Sequence, residues 1–190
     1  MNTRKGLLIG ATAFGLTLSV AGISSVAAAD APATAVSGIH SSTANQEAAE
    51  NLNHIYDHAF IGEMPGKDHT LTINKSTKED IHEKLGTPEK VEGRFNLYHW
   101  EMGNPGYGFA YNEDDTVSEI RYFGTGVERD QNLEGITPAI LDEQLGQADE
   151  IYTVPGTNET DYVYNTDEYE LHFVVGSDQT VDYVNLKEAE

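Results

Sequence analysis

Cysteine is absent from this chain of 190 residues. Disulfides, thiolate metal sites, a lipid-bearing cysteine anchor and a cysteine nucleophile are therefore all excluded, and packing alone must hold the fold. Positive charge is scarce as well. Eleven Lys and Arg face 32 Asp and Glu, a formal net charge of −21, and such a surface repels nucleic acid and anionic membranes. Long apolar runs are few. The stretch from Gly6 to Val20 carries no charge and follows Arg4 and Lys5, but it is rich in Gly, Thr and Ser and falls short of the roughly 20 residues that span a bilayer. With Ala27-Ala28-Ala29 preceding Asp30, it predicts a cleavable secretion signal over residues 1–29. Removing it takes away two basic residues and no acidic ones, so −21 becomes −23. No second apolar run follows, and no membrane span is expected after cleavage.

What the chain does contain is material for a compact core, including 10 Tyr and 6 Phe. Residues 30–44, small and rich in Ala, Ser and Thr, read as a flexible linker. A helix is expected over 45–61, because Ala48, Leu52, Ile55, Tyr56, Ala59 and Phe60 recur at helical spacing and Gly62 and Pro65 follow.

The remaining chain has the pattern of an internal repeat, about 66–128 and 129–190. Ser76 to Pro88 and Thr137 to Ala148 each predict a short helix, with Ile81 and Leu85 matching Leu141 and Leu145. Ser76 with Glu79 suggests a capping box, Thr137 an N-cap followed by Pro138, and Gly86 and Gly146 the helix exits. Three strands are expected after each helix: 95–101, 107–112 and 117–123, then 160–165, 169–175 and 181–186. Their aromatic alternation has period two, pairing Tyr98-x-Trp100 with Tyr162-x-Tyr164 and Tyr107-x-Phe109-x-Tyr111 with Tyr169-x-Leu171-x-Phe173. The fold class is thus α+β, two tandem helix-plus-three-strand antiparallel repeats with the helices on one face of the sheet. By parity the other face carries Gly108, Ala110, His99, Glu101, Glu119, Arg121, Glu170 and His172, a mixed, wet face. His99, Glu101, Glu119, Arg121, Glu170 and His172 form the candidate binding face.

From Leu52 to Lys187 the chain resembles the YjgB family of exported Gram-positive bacterial proteins, a domain of unknown function. The matching stretches include Leu52-Asn53-His54-Ile55-Tyr56, Ile61-Gly62-Glu63-Met64-Pro65, Lys84-Leu85-Gly86-Thr87-Pro88, Gly108-Phe109-Ala110-Tyr111-Asn112 and Leu171-His172-Phe173-Val174-Val175. Gln147-Ala148 departs from the family, which tends to have a basic residue and Pro there. The resemblance implies no activity. The tandem plan is similar to that of β-lactamase-inhibitor protein and of BamE-type lipoproteins, which are binding proteins.

Motifs that carry chemistry are sparse. His54 and His58 lie one helical turn apart, but His54-Ile55-Tyr56-Asp57-His58 lacks the Glu of a zinc-protease helix and reads as a surface pair. Asn112-Glu113-Asp114-Asp115 lacks calcium-loop spacing and reads as a hairpin turn. No G-x-S-x-G elbow occurs. No catalytic, cofactor or metal residue is assigned. The expectation is a secreted, non-enzymatic module for an extracellular protein or cell-wall ligand. The alternatives are an extracellular hydrolase acting on wall polymer or peptide, and a divalent-cation-binding wall protein.

Overall fold

A computed structural model describes residues 35–65, 70–98, 105–129 and 132–189, with side chains from residue 45 onward. The expected signal over 1–29 lies outside these residues, as do His99, Trp100 and Glu101.

The first helix, α1 (Ala35–Ala59), starts ten residues before the expected Asn45 and absorbs most of the stretch read as a linker. Residues 35–44 contain no proline, and adding a turn to an existing helix is far less costly than nucleating one. Ala48, Leu52, Ile55 and Ala59 form the buried stripe, whereas Phe60, just past the helix, is 39% exposed. Tyr56 packs edge-on against Phe60 and Tyr164, with ring centres 5.3 and 6.1 Å apart. A small hairpin follows, β1 (Glu63–Pro65) with β2 (Thr70–Thr72), which the sequence pattern did not reveal.

Helix α2 (Lys78–Leu85) is capped one residue later than the spacing suggested. Thr77 Oγ1 accepts from Asp80 N, and Asp80 Oδ2 accepts from Thr77 N. Ser76 Oγ instead accepts from Thr72 N, and Thr77 pairs with Thr116 in an isolated bridge. This tether sets which residue caps. Helix α3 (Pro138–Leu145) starts at Thr137 as expected, with Pro138 in its first turn. Both helices end on glycines with nearly identical backbones, φ 81 and ψ −155 at Gly86, φ 84 and ψ −170 at Gly146. This region beyond the left-handed helix is essentially closed to residues bearing a Cβ.

Eight strands form one antiparallel sheet: β3 (Lys90–Glu92), β4 (Phe95–Tyr98), β5 (Pro105–Tyr111), β6 (Val117–Thr125), β7 (Glu150–Thr153), β8 (Thr160–Thr166), β9 (Tyr169–Val175) and β10 (Val181–Glu188). Their order is β3-β4-β5-β6-β10-β9-β8-β7. The protein is therefore a mixed α+β fold, with four strands after each short helix and not the expected three. The additional ones, β3 and β7, are fully exposed edge strands of three and four residues. They carry Lys90-Val91-Glu92 and Glu150-Ile151-Tyr152-Thr153, too short for alternation to stand out.

Two rows cross the core side of the sheet. One reads Asn96, Phe109, Ile120, Leu186, Leu171, Tyr164; the other reads Tyr98, Tyr107, Tyr122, Val184, Phe173, Tyr162. Tyr164, and not Tyr162, thus stands opposite Leu171 as the ring that meets Phe173 edge-on at 5.8 Å; Tyr98 meets Phe109 likewise at 5.6 Å. These side chains join Leu52, Ile55, Ile81 and Leu141 of the helices in one apolar cluster. The turns after β5 and β9 are built alike. Asp114 Oδ1 accepts from Thr116 N and Oγ1, and Asp178 Oδ1 accepts from Thr180 N and Oγ1. Asp115 and Gln179 take φ 64 and 67.

Leu52→Ala removes a fully buried side chain from this cluster. It is expected to cost about 2–5 kcal/mol in urea unfolding. Burial also raises the phenols of Tyr107, Tyr122 and Tyr164, the last to about 12. Tyr107 donates to Pro65 O at 2.8 Å and Tyr164 to Gly146 O at 3.2 Å. For Tyr164 a raised folded pKa means that its contribution is intact below the ordinary value of 10.0 and is lost as pH climbs toward about 12; Tyr107 and Tyr122 shift in the same direction. Tyrosinate absorbance at 295 nm should therefore show these phenols ionising together with unfolding, later than the exposed ones.

Candidate binding face

The reverse side of the sheet is built by the strand residues between the core rows. One register row runs Leu97, Gly108, Arg121, Asn185, His172, Val163, Glu150. The next runs Ala110, Glu119, Lys187, Glu170, Asn165. Four of the residues expected on this face, Glu119, Arg121, Glu170 and His172, thus meet across β6, β10 and β9. His99 and Glu101 lie outside the described residues.

Side-chain geometry follows from the pleat, in which directly opposed and diagonal neighbours touch. His172 Nδ1 lies 2.9 Å from Asp161 Oδ2, and Nε2 lies 3.3 Å from Glu170 Oε2. Lys187 Nζ lies 2.8 Å from the same Glu170 oxygen. The carboxyl of Glu170 sits below its ordinary range. Burial works to raise it, but the hydrogen bond and charge of Lys187 and the His172 ring outweigh this. Asp161 Oδ1 is buried without a hydrogen-bond partner among the described residues.

A second group gathers around Arg121. Its guanidinium lies 4.3 Å from the centre of the Phe95 ring and 4.4 Å from that of Tyr183, a cation held between two aromatic rings. Arg121 Nε donates to Asn185 Oδ1 at 2.8 Å. Burial lowers the guanidinium from its ordinary value, with Tyr183, Glu159 and Glu92 acting in the opposite sense. Gly108 makes the room. A Cβ there would stand 3.0 Å from Leu97 Cδ2 and 3.4 Å from Phe95 Cδ1. Beside this group the Arg94 guanidinium pairs with Glu119, whose side chain is 5% exposed.

The face is polar in composition, yet it is less wet than parity implied. Glu119, Asp161 and His172 are buried together with Phe95, Val163 and Val174. Residues that sequence reasoning did not place here include Phe95, Asp161, Tyr183, Asn185 and Lys187. The sequence pattern assigns no residue of the last strand to a face and ends it at 186, and a bulge between Val181 and Tyr183 breaks strict alternation at its start. Asp161 shares the parity of Val163 within the expected strand 160–165 and was legible from the sequence.

Because the folded pKa of Glu170 is depressed, its contribution to stability is present above the ordinary glutamate value of 4.5 and lost as pH falls through the native value. Urea melts at pH 7, 5 and 3 should show Glu170→Gln less stable than the parent at pH 7, with the gap closing toward pH 3. A gap that is constant with pH would mean that this ionic network contributes nothing.

Comparison with known proteins agrees with the resemblance read from the sequence. Residues 52–187 match the family described as Domain of unknown function (DUF4309). "Uncharacterized protein YjgB" of Bacillus subtilis strain 168 is 57% identical over 162 residues, 84% of this chain and 85% of that protein. A crystal structure of a DUF4309 family protein (YjgB) from Bacillus subtilis superposes with a TM-score of 0.72 at 59% identity. It covers 76% of this chain and 99% of the other. With the family match running from within α1 through α2, α3 and all but the last residue of β10, the chain belongs to the DUF4309 family.

Proposed function

We propose that this protein is an exported, non-enzymatic binding module that receives an extracellular protein or cell-wall ligand on the β5-β6-β10-β9 face. The observation that carries this reading is the Arg121 clamp. A guanidinium stacked between Phe95 and Tyr183 and tied to Asn185 is fixed in place before any partner arrives. Pre-positioned Arg and aromatic groups are the residue types that dominate binding energy at interfaces, and preorganisation reduces the ordering cost of association. Export rests on the basic start, the uncharged run and the Ala27-Ala28-Ala29 site.

The finer architectural reading is part of this proposal. The two halves are copies of one unit, each a short helix followed by antiparallel strands, joined through β6 and β10. The matching glycine exits and the matching Asp-x-Thr turns support it. In plan this is similar to β-lactamase-inhibitor protein and BamE-type lipoproteins, an analogy of fold alone.

One observation favours a second reading. The Asp161–His172 pair has the spacing of an orienting carboxylate and a general base, as a hydrolase would use. Glu170 faces the other ring nitrogen at 3.3 Å, so a substrate would first have to displace it.

The test is capture from secreted and cell-wall extracts by the immobilised chain, alongside Arg121→Ala and His172→Ala. A discrete partner should be retained by the parent and lost from Arg121→Ala, with both variants keeping the parent's far-UV circular dichroism. Equal capture by parent and variants, or none by the parent, overturns the binding reading. Turnover in a panel of peptidase and glycanase substrates, abolished by His172→Ala, would establish the hydrolase instead.

A further inference from the structure

The end of α1 carries a side-chain cluster that the binding face leaves unused. His54 and His58 lie one turn apart, and their rings stand 4.4 Å centre to centre with an interplanar angle of 58°. Two imidazoles ligating one ion through nitrogens at about 2.0–2.1 Å have ring centres on the order of 4.5–5 Å apart, so the separation of this pair is compatible with a shared ion. His54 is exposed and the His58 side chain is 33% exposed, which leaves the site open to solvent.

Three further features favour a cation there. His58 Nδ1 lies 3.4 Å from Glu63 Oε2 on β1. A carboxylate beside one ring nitrogen is the usual outer support of a metal-bound histidine. Nε2 is then the ligating atom. His58 also belongs to the last turn of α1, where the negative end of the helix dipole attracts positive charge. Finally, the chain carries a formal charge of −21, so cations accumulate around it.

We propose that His54 and His58 form a two-imidazole chelate for a late first-row divalent cation, with Glu63 as the positioning residue and water completing the shell. Imidazole selects copper, nickel or zinc over the hard, oxygen-seeking calcium and magnesium. Among the described residues no set of three or more His, Cys, Asp or Glu is arranged to hold a metal.

The full chain without an affinity tag is titrated calorimetrically with Cu²⁺, Zn²⁺ and Ca²⁺, and each metal's effect on the thermal midpoint is recorded. One equivalent of Cu²⁺ should bind more tightly than Zn²⁺, Ca²⁺ should give no response at the same concentration, and bound metal should raise the midpoint. His54→Ala and His58→Ala should each abolish both the heat and the midpoint shift. Neither side chain is in the core, so both variants fold. Glu63→Gln should weaken Cu²⁺ binding about 10-fold. No uptake by the parent, or undiminished uptake by both histidine variants, overturns the chelate, and an unchanged affinity in Glu63→Gln overturns the positioning role.

Discussion

The antiparallel seam between β6 and β10 is the contact on which the rest of the molecule depends. Four residue pairs define it: Tyr122 with Val184, Arg121 with Asn185, Ile120 with Leu186, and Glu119 with Lys187. Alternate pairs point to opposite sides, so the seam supplies the middle of the apolar core and the middle of the polar face together. A slip of one residue would bring Arg121 and Glu119 into the core and turn Ile120 and Tyr122 outward. The fully buried Ile120, Val184 and Leu186 fix the register, and the polar face inherits its order from them.

The helices α2 and α3, at eight residues each, are too short to be stable on their own. Their caps and their single fully buried anchors, Ile81 and Leu141, join them to the sheet. Helix α1 is held by a longer stripe and by Gly62, whose φ of +70 turns the chain beneath the ring of Tyr169. A Cβ there would come within 2.5 Å of that ring. The direction in which the chain leaves α1, and with it the position of Glu63 beside His58, is set by this close approach.

The sequence was most readable where periodicity and punctuation coincide. The Leu-Gly exits of both short helices, strand β9 to the residue, and the Asn112–Thr116 turn all follow from patterns of a few residues with a clear physical cause. Legibility failed where a tertiary contact decided between near-equal local options. Thr77 displaced Ser76 as the cap because it also bridges to Thr116. The exposed strands β3 and β7 have no alternation to detect. On the polar face, parity carried Glu119, Arg121, Glu170 and His172 to one side of the sheet. The aromatic neighbours of Arg121 come from β4 and from beyond the bulge in β10, contacts that no spacing rule within one strand can express.

Among the described residues the sheet is open, with β3 and β7 as its two edge strands. Long, flat, apolar borders of this kind recruit other chains and seed fibrils. Here the borders are only three and four residues long, and ionisable groups (Lys90 and Glu92 at one end, Glu150 at the other) interrupt them. Lys90 and Glu92 bond to each other at 2.8 Å. An incoming strand would gain few ladder bonds and would meet charge at both margins. The same economy that hid β3 and β7 from pattern reading protects the molecule from polymerising through its own sheet.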